Sequence, residues 1–141
     1  MRVQHEAQLR EQIAWWLRAQ YPGAIYRWDL AADLKLTIAQ AARHKRLHPE
    51  RGYPDLLLLE PRAGFSGAFF ELKAENAKVY RANGELYADK HLEEQAAMMN
   101  KLRAKGYYAD FAQGFDEAVE KISAYLLAKL PTHQRTFREL D

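Results

Sequence analysis

Four consecutive leucines at residues 56–59 restrict the possible folds of this chain more than any other feature of its sequence. The run lies between Asp55 and Glu60, has the length of a strand, and lacks the polar alternation of a strand with one face in water. We therefore expect a strand over residues 55–60 with both faces covered. Covering both faces of a sheet requires a helical layer on each side.

Apolar periodicity and turn residues divide the rest of the chain into helices and strands. A hairpin is expected because Pro61-Arg62-Ala63-Gly64 supplies turn residues and residues 67–73 form a second apolar strand. Residues 74–90, which contain Asn83-Gly84, predict a loop or a small hairpin. The order of elements predicts an α/β fold with a small mixed sheet flanked by helices. Helices are predicted over residues 4–20, most of 30–47, 91–105 and 115–130, and further strands over 24–28 and 107–112.

The length and composition suit one domain with its own core. The 141 residues are 48% hydrophobic and 28% charged, which is an ordinary globular balance. We expect a single domain over residues 1–141, with a loose tail at 131–141. The chain has no cysteine, which excludes disulfides and thiolate ligands. Because we find neither a signal peptide nor an apolar run near the ~20 residues of a membrane span, we expect a cytoplasmic protein without a membrane partner.

Chemically active side chains lie at the ends of the two hairpin strands. Side chains alternate across a strand, so Glu71 and Lys73 share one face while Phe70 and Leu72 share the other. If Asp55 begins the neighbouring antiparallel strand, it lies opposite them. Two carboxylates and one ammonium group are then expected to converge on one point.

Such a convergence suits hydrolysis of phosphodiesters. Asp55 and Glu71 could hold Mg²⁺ or Mn²⁺, because hard divalent cations prefer oxygen ligands, and the backbone carbonyl of Leu72 could add a third oxygen. Lys73 would orient the attacking water and add positive charge. The alternative is purely structural: Asp55 as a turn residue, and Glu71 with Lys73 as a solvated strand face.

The combined pattern resembles a known family. Gly52-x-Pro54-Asp55-Leu56, Phe70-Glu71-x-Lys73 and a downstream helix containing Gln95 together resemble the PD-(D/E)XK nuclease superfamily, and within it the VRR-NUC domain. The resemblance covers about residues 5–128 and includes the closing helix. It implies a restriction-endonuclease-like PD-(D/E)XK core.

The resemblance also implies roles for individual residues. Asp55 and Glu71 match the metal ligands, Lys73 the catalytic lysine, and Gln95 the glutamine beside the scissile phosphate. Alternatively, Gln95 only bonds a neighbouring helix.

Such nucleases also carry a glutamate on the first helix, and two residues of this chain are candidates for it. Glu6 is the first candidate, since it shares helical spacing with Leu9 and Ile13 and should face inward, and Glu11 is the second. Alternatively, Glu6 only lies in the favourable first turn of its helix. At Arg10, where relatives often carry glutamine, the chain departs from the pattern.

Basic residues at two places predict contacts with DNA phosphates, although the first set could instead be only the solvated end of a helix. One set belongs to a cluster that also contains His44 and His48, neither of which has zinc-type spacing. The other set lies in the segment between Lys73 and Gln95, which is long for the family and could be a DNA-contacting flap or an enlarged hairpin. The expected phosphate contacts are Arg43, Lys45, Arg46 and Arg51 in the first set and Lys78 and Arg81 in the second.

Stand-alone VRR-NUC members resemble Holliday-junction resolvases, which act as homodimers on branched DNA. The resemblance therefore implies a metal-dependent, structure-selective DNA endonuclease that forms a homodimer, and the compact form resembles phage-encoded members. Trp15 lies off the apolar stripe of its helix, so we expect it to face a partner subunit. The alternatives are a non-catalytic nucleic-acid-binding module on the same fold and a monomeric nuclease of flap or linear DNA.

Overall fold

The structure is a computed structural model that describes residues 2–29 and 34–130. Within these residues it contains four helices and four strands, close to the predicted order. The expected tail at 131–141 and the first four residues of the predicted helix over 30–47 lie outside the described residues. The elements are α1 (Arg2–Gln20), β1 (Tyr26–Trp28), α2 (Ile38–Leu47), β2 (Leu56–Leu58), β3 (Ala68–Lys73), α3 (Lys90–Ala104), β4 (Tyr108–Gln113) and α4 (Gly114–Leu126).

The four strands form one mixed sheet, as predicted, and their order in it is β1-β2-β3-β4. The pairs β1–β2 and β2–β3 are antiparallel, and β3–β4 is parallel. Strand β2 is shorter than the predicted 55–60, because its pairing with β3 runs only from Leu56, opposite Phe70, to Leu58. Leu56 and Leu58 are fully buried, whereas Leu59 is 48% exposed beyond the end of the strand.

The sheet separates two apolar clusters. Alternate residues of β3 and β4, including Phe70 and Leu72, pack with α1 and α4 through side chains such as Ile13 and Ile122. The intervening residues of these strands, Phe111 among them, pack with α3 on the other side. Helices therefore cover both faces, as the leucine run predicts. No helix in the described part of the chain is long and apolar enough to cross a membrane.

Helix α2 begins at Ile38, so the prediction of a helix over most of residues 30–47 was too long. Thr37 starts the helix with a capping box: its hydroxyl accepts the N–H of Gln40, and its own N–H donates to the Gln40 side chain. Because the cap holds Thr37 in an extended conformation, the helix begins at Ile38 and not earlier. Helix α4 also ends earlier than predicted, at Leu126, where Ala128 takes a left-handed φ of 54°.

Residues 74–90 contain a small hairpin, which is one of the two predicted alternatives. Tyr80 pairs with Leu86, and the N–H of Tyr87 donates to the carbonyl of Val79 at 3.0 Å. Gly84 lies at the tip with a φ of 86°. Val79 is 1% exposed and belongs to the cluster under α3, so the core anchors the base of the hairpin.

Candidate active site

Asp55 and Glu71 meet where β2 begins. Because the register pairs Leu56 with Phe70, Asp55 comes to lie across from Glu71, as the hairpin pattern predicted. The N–H of Asp55 donates to Oε2 of Glu71 at 3.0 Å, and the N–H of Leu72 donates to Oδ2 of Asp55 at 3.0 Å. Leu72 is free to make this bond since it lies beyond the last residue that pairs with β2. The strand ends thus hold the two acids in contact.

Two side chains from the α3 side of the sheet converge on Glu71, which is only 5% exposed. The Gln95 amide nitrogen donates to Oε1 of Glu71 at 2.7 Å. The Lys73 ammonium lies 3.6 Å from the same oxygen and shares the strand face of Glu71. The structure therefore brings together four of the five residues predicted to carry the chemistry, Asp55, Glu71, Lys73 and Gln95, but not the fifth, Glu6.

Burial makes this pair of acids electrostatically costly. Burial and the adjacent carboxylate of Asp55 raise the pKa of Glu71 well above its usual value, and Lys73 offsets this only in part. Burial also raises the pKa of Asp55, against the opposing influence of Arg10. One buried and one partly buried carboxylate that resist joint ionisation are the kind of pair that a bound cation stabilises.

Arg10 of α1 is the fourth charged residue at this point, after Asp55, Glu71 and Lys73. It is 8% exposed, and its NH1 lies 4.0 Å from Oδ1 of Asp55. The sequence pattern predicts no role for Arg10, which is only a departure from the family pattern. Helical spacing carried the signal: Arg10 lies three and seven residues before the buried Ile13 and Leu17, so it belongs to the inward face of α1.

The two first-helix glutamates lie in different places. Helix α1 begins at Arg2, so Glu6 is not in its first turn; it is half-buried, one turn before Arg10 on the same face. No three histidine, aspartate or glutamate side chains among the described residues lie close enough to share a metal ion, so Glu6 does not join Asp55 and Glu71 as a third acid here. Glu11 is exposed and lines a separate groove with Trp15.

A cavity of about 420 Å³ opens over the acids, with Asp55, Glu71 and Gln95 in its wall. Of the residues predicted to contact phosphates, Lys45 and Arg51 line this cavity. Three histidines, His44, His48 and His91, also line it.

The other predicted phosphate contacts do not line this cavity. Arg43 and Arg46 are exposed on α2 outside it. Lys78 and Arg81 are exposed on the hairpin, where the Arg81 guanidinium lies 5.5 Å from the Tyr87 ring centre.

Gly52 fixes the distance between this site and α3, and sequence reasoning used it only as part of a motif. Its φ is +83°, and a Cβ built there would lie 2.5 Å from the carbonyl oxygen of Glu94. Only glycine allows the backbone at residue 52 to lie this close to the backbone of Glu94 on α3. This close approach places Asp55 and Gln95 on one cavity.

The donor set fits a hard divalent cation. Asp55 and Glu71 supply carboxylate oxygens, each with lone pairs beyond those in the bonds described above. The side-chain oxygen of Gln95 is buried and has no hydrogen-bond partner among the described residues. Buried polar atoms of this kind are normally satisfied, so the site has an unused oxygen donor beside its two acids.

Comparison with known proteins identifies the fold. No family model and no curated protein matches the sequence. A solved structure described as a VRR_NUC domain protein matches this one with a TM-score of 0.60 and 23% sequence identity, covering 86% of this chain and 88% of the other. The chain therefore has the α/β, restriction-endonuclease-like fold of a VRR-NUC domain, as the sequence motifs predicted.

Proposed function

We propose that this protein is a nuclease that hydrolyses DNA phosphodiesters with Mg²⁺ or Mn²⁺. The observation that carries the proposal is the convergence of Asp55, Glu71, Lys73 and Gln95 in and beside the wall of one cavity. The fold shared with a VRR_NUC domain protein supports it.

The charges at the site favour an anionic substrate. When Asp55 and Glu71 are both ionised, Lys73 and Arg10 balance them. A divalent cation then leaves an excess of two positive charges, which suits a phosphodiester gaining negative charge as it reacts. The cation would acidify a water molecule and stabilise the charge on the phosphoryl oxygens.

The chain's own residues have distinct tasks in this reaction. Asp55, Glu71 and the Leu72 carbonyl would hold the cation, and Gln95 keeps Glu71 oriented through its 2.7 Å hydrogen bond. Lys73, whose side chain is 11% exposed, would orient the attacking water and face the scissile phosphate. Glu6, one turn before Arg10 on α1, stays a candidate ligand. To bind the cation, its carboxylate would have to lie closer to Asp55 and Glu71 than it does in this structure.

The cavity wall indicates how DNA would be held. Lys45 and Arg51 line the cavity and would contact phosphates on either side of the cut, without reading bases. Arg43, Arg46, Lys78 and Arg81 would contact more distant phosphates. We therefore expect weak sequence preference and strong salt sensitivity.

We further propose a homodimer acting on branched DNA such as Holliday junctions. Trp15 supports the dimer: it is 68% exposed on α1 and lines a groove with Phe115. Large exposed aromatic side chains are enriched at protein interfaces. Two sites related by a twofold axis could cut both strands of a junction symmetrically.

Cleavage of labelled four-way junctions, flaps and duplexes in Mg²⁺, Mn²⁺ or EDTA tests the proposal. We expect metal-dependent cleavage, fastest on junctions, and a loss of at least about 100-fold with Lys73→Ala. Lys129→Ala, which removes an exposed lysine, is the matched control. Full activity in EDTA would exclude the metal mechanism. DNA binding without cleavage in either metal would favour a non-catalytic module, and preferred cutting of flaps by a monomer would exclude the paired-site resolvase.

A further inference from the structure

Arg10 is unusual because it is a buried cation. In the part of the chain that the structure describes, only three charged residues are buried: Arg10, Glu71 and Asp110. Two of these three belong to the candidate active site. Burying a guanidinium is costly unless an acid lies nearby. Asp55 of the candidate site is one such acid, with its Oδ1 4.0 Å from NH1 of Arg10.

The contacts of the two acids give the site two sides. On the α3 side, Gln95 and Lys73 approach Oε1 of Glu71, and the cavity opens there. On the α1 side, Oδ1 of Asp55 faces Arg10 at 4.0 Å, while its other oxygen accepts the Leu72 N–H. At 4.0 Å, Arg10 is too distant for a direct hydrogen bond and acts on Asp55 mainly through its charge.

A fixed cation in this position limits the number of metal ions. In two-metal sites the ions lie about 3.5–4 Å apart and share a carboxylate. A second ion bound to Oδ1 of Asp55 would therefore lie within a few ångströms of the guanidinium, where like charges repel strongly because little water separates them.

We propose that Arg10 takes the place of a second metal ion, so that the site binds a single divalent cation on the cavity side of Asp55 and Glu71. The proposal rests on the proposed function, because it assumes that the two acids hold a metal. Arg10 is then a positioning residue: it supplies a permanent charge next to Asp55 and confines metal binding to the α3 side.

Counting bound Mn²⁺ tests this proposal without DNA and without activity. Mn²⁺ is titrated into the metal-free full chain, with free Mn²⁺ measured by electron paramagnetic resonance and heat by calorimetry. We expect one Mn²⁺ per wild-type chain and two per chain in Arg10→Gln, because removal of the charge opens Oδ1 of Asp55. Arg18→Gln, at an exposed position near the end of α1, is the matched control and should bind one.

The outcomes separate this proposal from the proposed function. Two Mn²⁺ ions on the wild-type chain, or one on Arg10→Gln with unchanged affinity, would overturn the role of Arg10 and leave a metal-dependent nuclease intact. No Mn²⁺ on the wild type would overturn both. Arg10→Met, which preserves the packing of the side-chain stem, replaces Arg10→Gln if that variant does not fold. If neither variant folds, a count of two Mn²⁺ ions on the wild-type chain still overturns the proposal.

Discussion

The backbone beside Asp55 binds the side chain of Glu71, and the backbone beside Glu71 binds the side chain of Asp55. The N–H of Asp55 donates to Glu71 at 3.0 Å, and the N–H of Leu72, adjacent to Glu71, donates to Asp55 at 3.0 Å. This exchange keeps the carboxylates in contact even though burial and mutual repulsion raise the pKa of Glu71. The site is therefore built in a state that is costly without a cation.

The first prediction concerns pH. Glu71 ionises near its usual pKa of 4.5 in the unfolded chain and only at a higher pH in the folded chain. The contribution of Glu71 to the free energy of unfolding is therefore fully present at acidic pH. It is lost as pH rises from about 4.5 through the raised pKa of the folded chain. In EDTA, Glu71→Gln should melt above the wild type at about pH 8 and near it at about pH 5.

Melting curves in EDTA and in Mg²⁺ check this prediction. Mg²⁺ should raise the wild-type melting temperature more at the higher pH, because no proton must then be displaced, and should not stabilise Glu71→Gln. Glu75→Gln, at an exposed glutamate just beyond β3, should follow the wild type. If the difference in melting temperature between Glu71→Gln and the wild type is the same at about pH 5 and about pH 8, the raised pKa of Glu71 is contradicted.

The second prediction concerns Gly52. Gly52→Ala must relieve both a φ of +83° and a 2.5 Å contact with the Glu94 carbonyl oxygen, so the loop has to move away from α3. We expect a loss of more than about 2 kcal/mol in the free energy of unfolding, together with a large loss of cleavage. Gly84→Ala is a close control: its φ is +86°, but nothing lies within 4 Å of the added Cβ.

Urea denaturation and cleavage assays separate the two effects. Gly84→Ala should lose about 1–2 kcal/mol from backbone strain alone and keep its activity. Equal effects of the two substitutions on cleavage would show that the contact between Gly52 and Glu94 does not position the site.

The third prediction concerns the buried acid of the edge strand β4. Lys121 donates to the carbonyl of Phe111 at 2.7 Å and lies 2.9 Å from Oδ2 of Asp110, which is 7% exposed. Lys121→Met should cost about 2 kcal/mol of stability, since it leaves Asp110 with the more distant Arg103 as its nearest cation among the described residues, whereas cleavage below the melting temperature should be unchanged.

Thermal and urea unfolding check this third expectation. The double variant Lys121→Met/Asp110→Asn should recover part of the loss, because the buried charge is gone. A Lys121→Met protein as stable as the wild type would show that the pair contributes nothing net to folding.

The fourth prediction concerns the proposed dimer. Trp15→Ser should convert a dimer into a monomer with little change in unfolding of the isolated chain, because the side chain is 68% exposed. Light scattering at micromolar concentration measures the mass. Ile38→Ser, at a 93% exposed position on α2, should leave the dimer intact. A wild-type monomer would contradict the dimer directly.

Local patterns in the sequence determined much of this protein. The alternation of side chains along a strand placed Glu71 and Lys73 on one face, and the leucine run predicted a sheet covered on both sides. The hairpin also predicted that Asp55 would lie opposite Glu71. These predictions succeeded because strand and helix periodicities depend only on residues that are near in sequence.

Only the tertiary structure decided which distant residues complete the site. The contact of Arg10 with Asp55 spans 45 positions, and that of Gln95 with Glu71 spans 24. Both depend on how α1 and α3 pack on opposite faces of the sheet, and the second also requires the close approach of Gly52 to α3. Packing distances between elements follow from the fit of many side chains at once, which no local pattern of residues specifies.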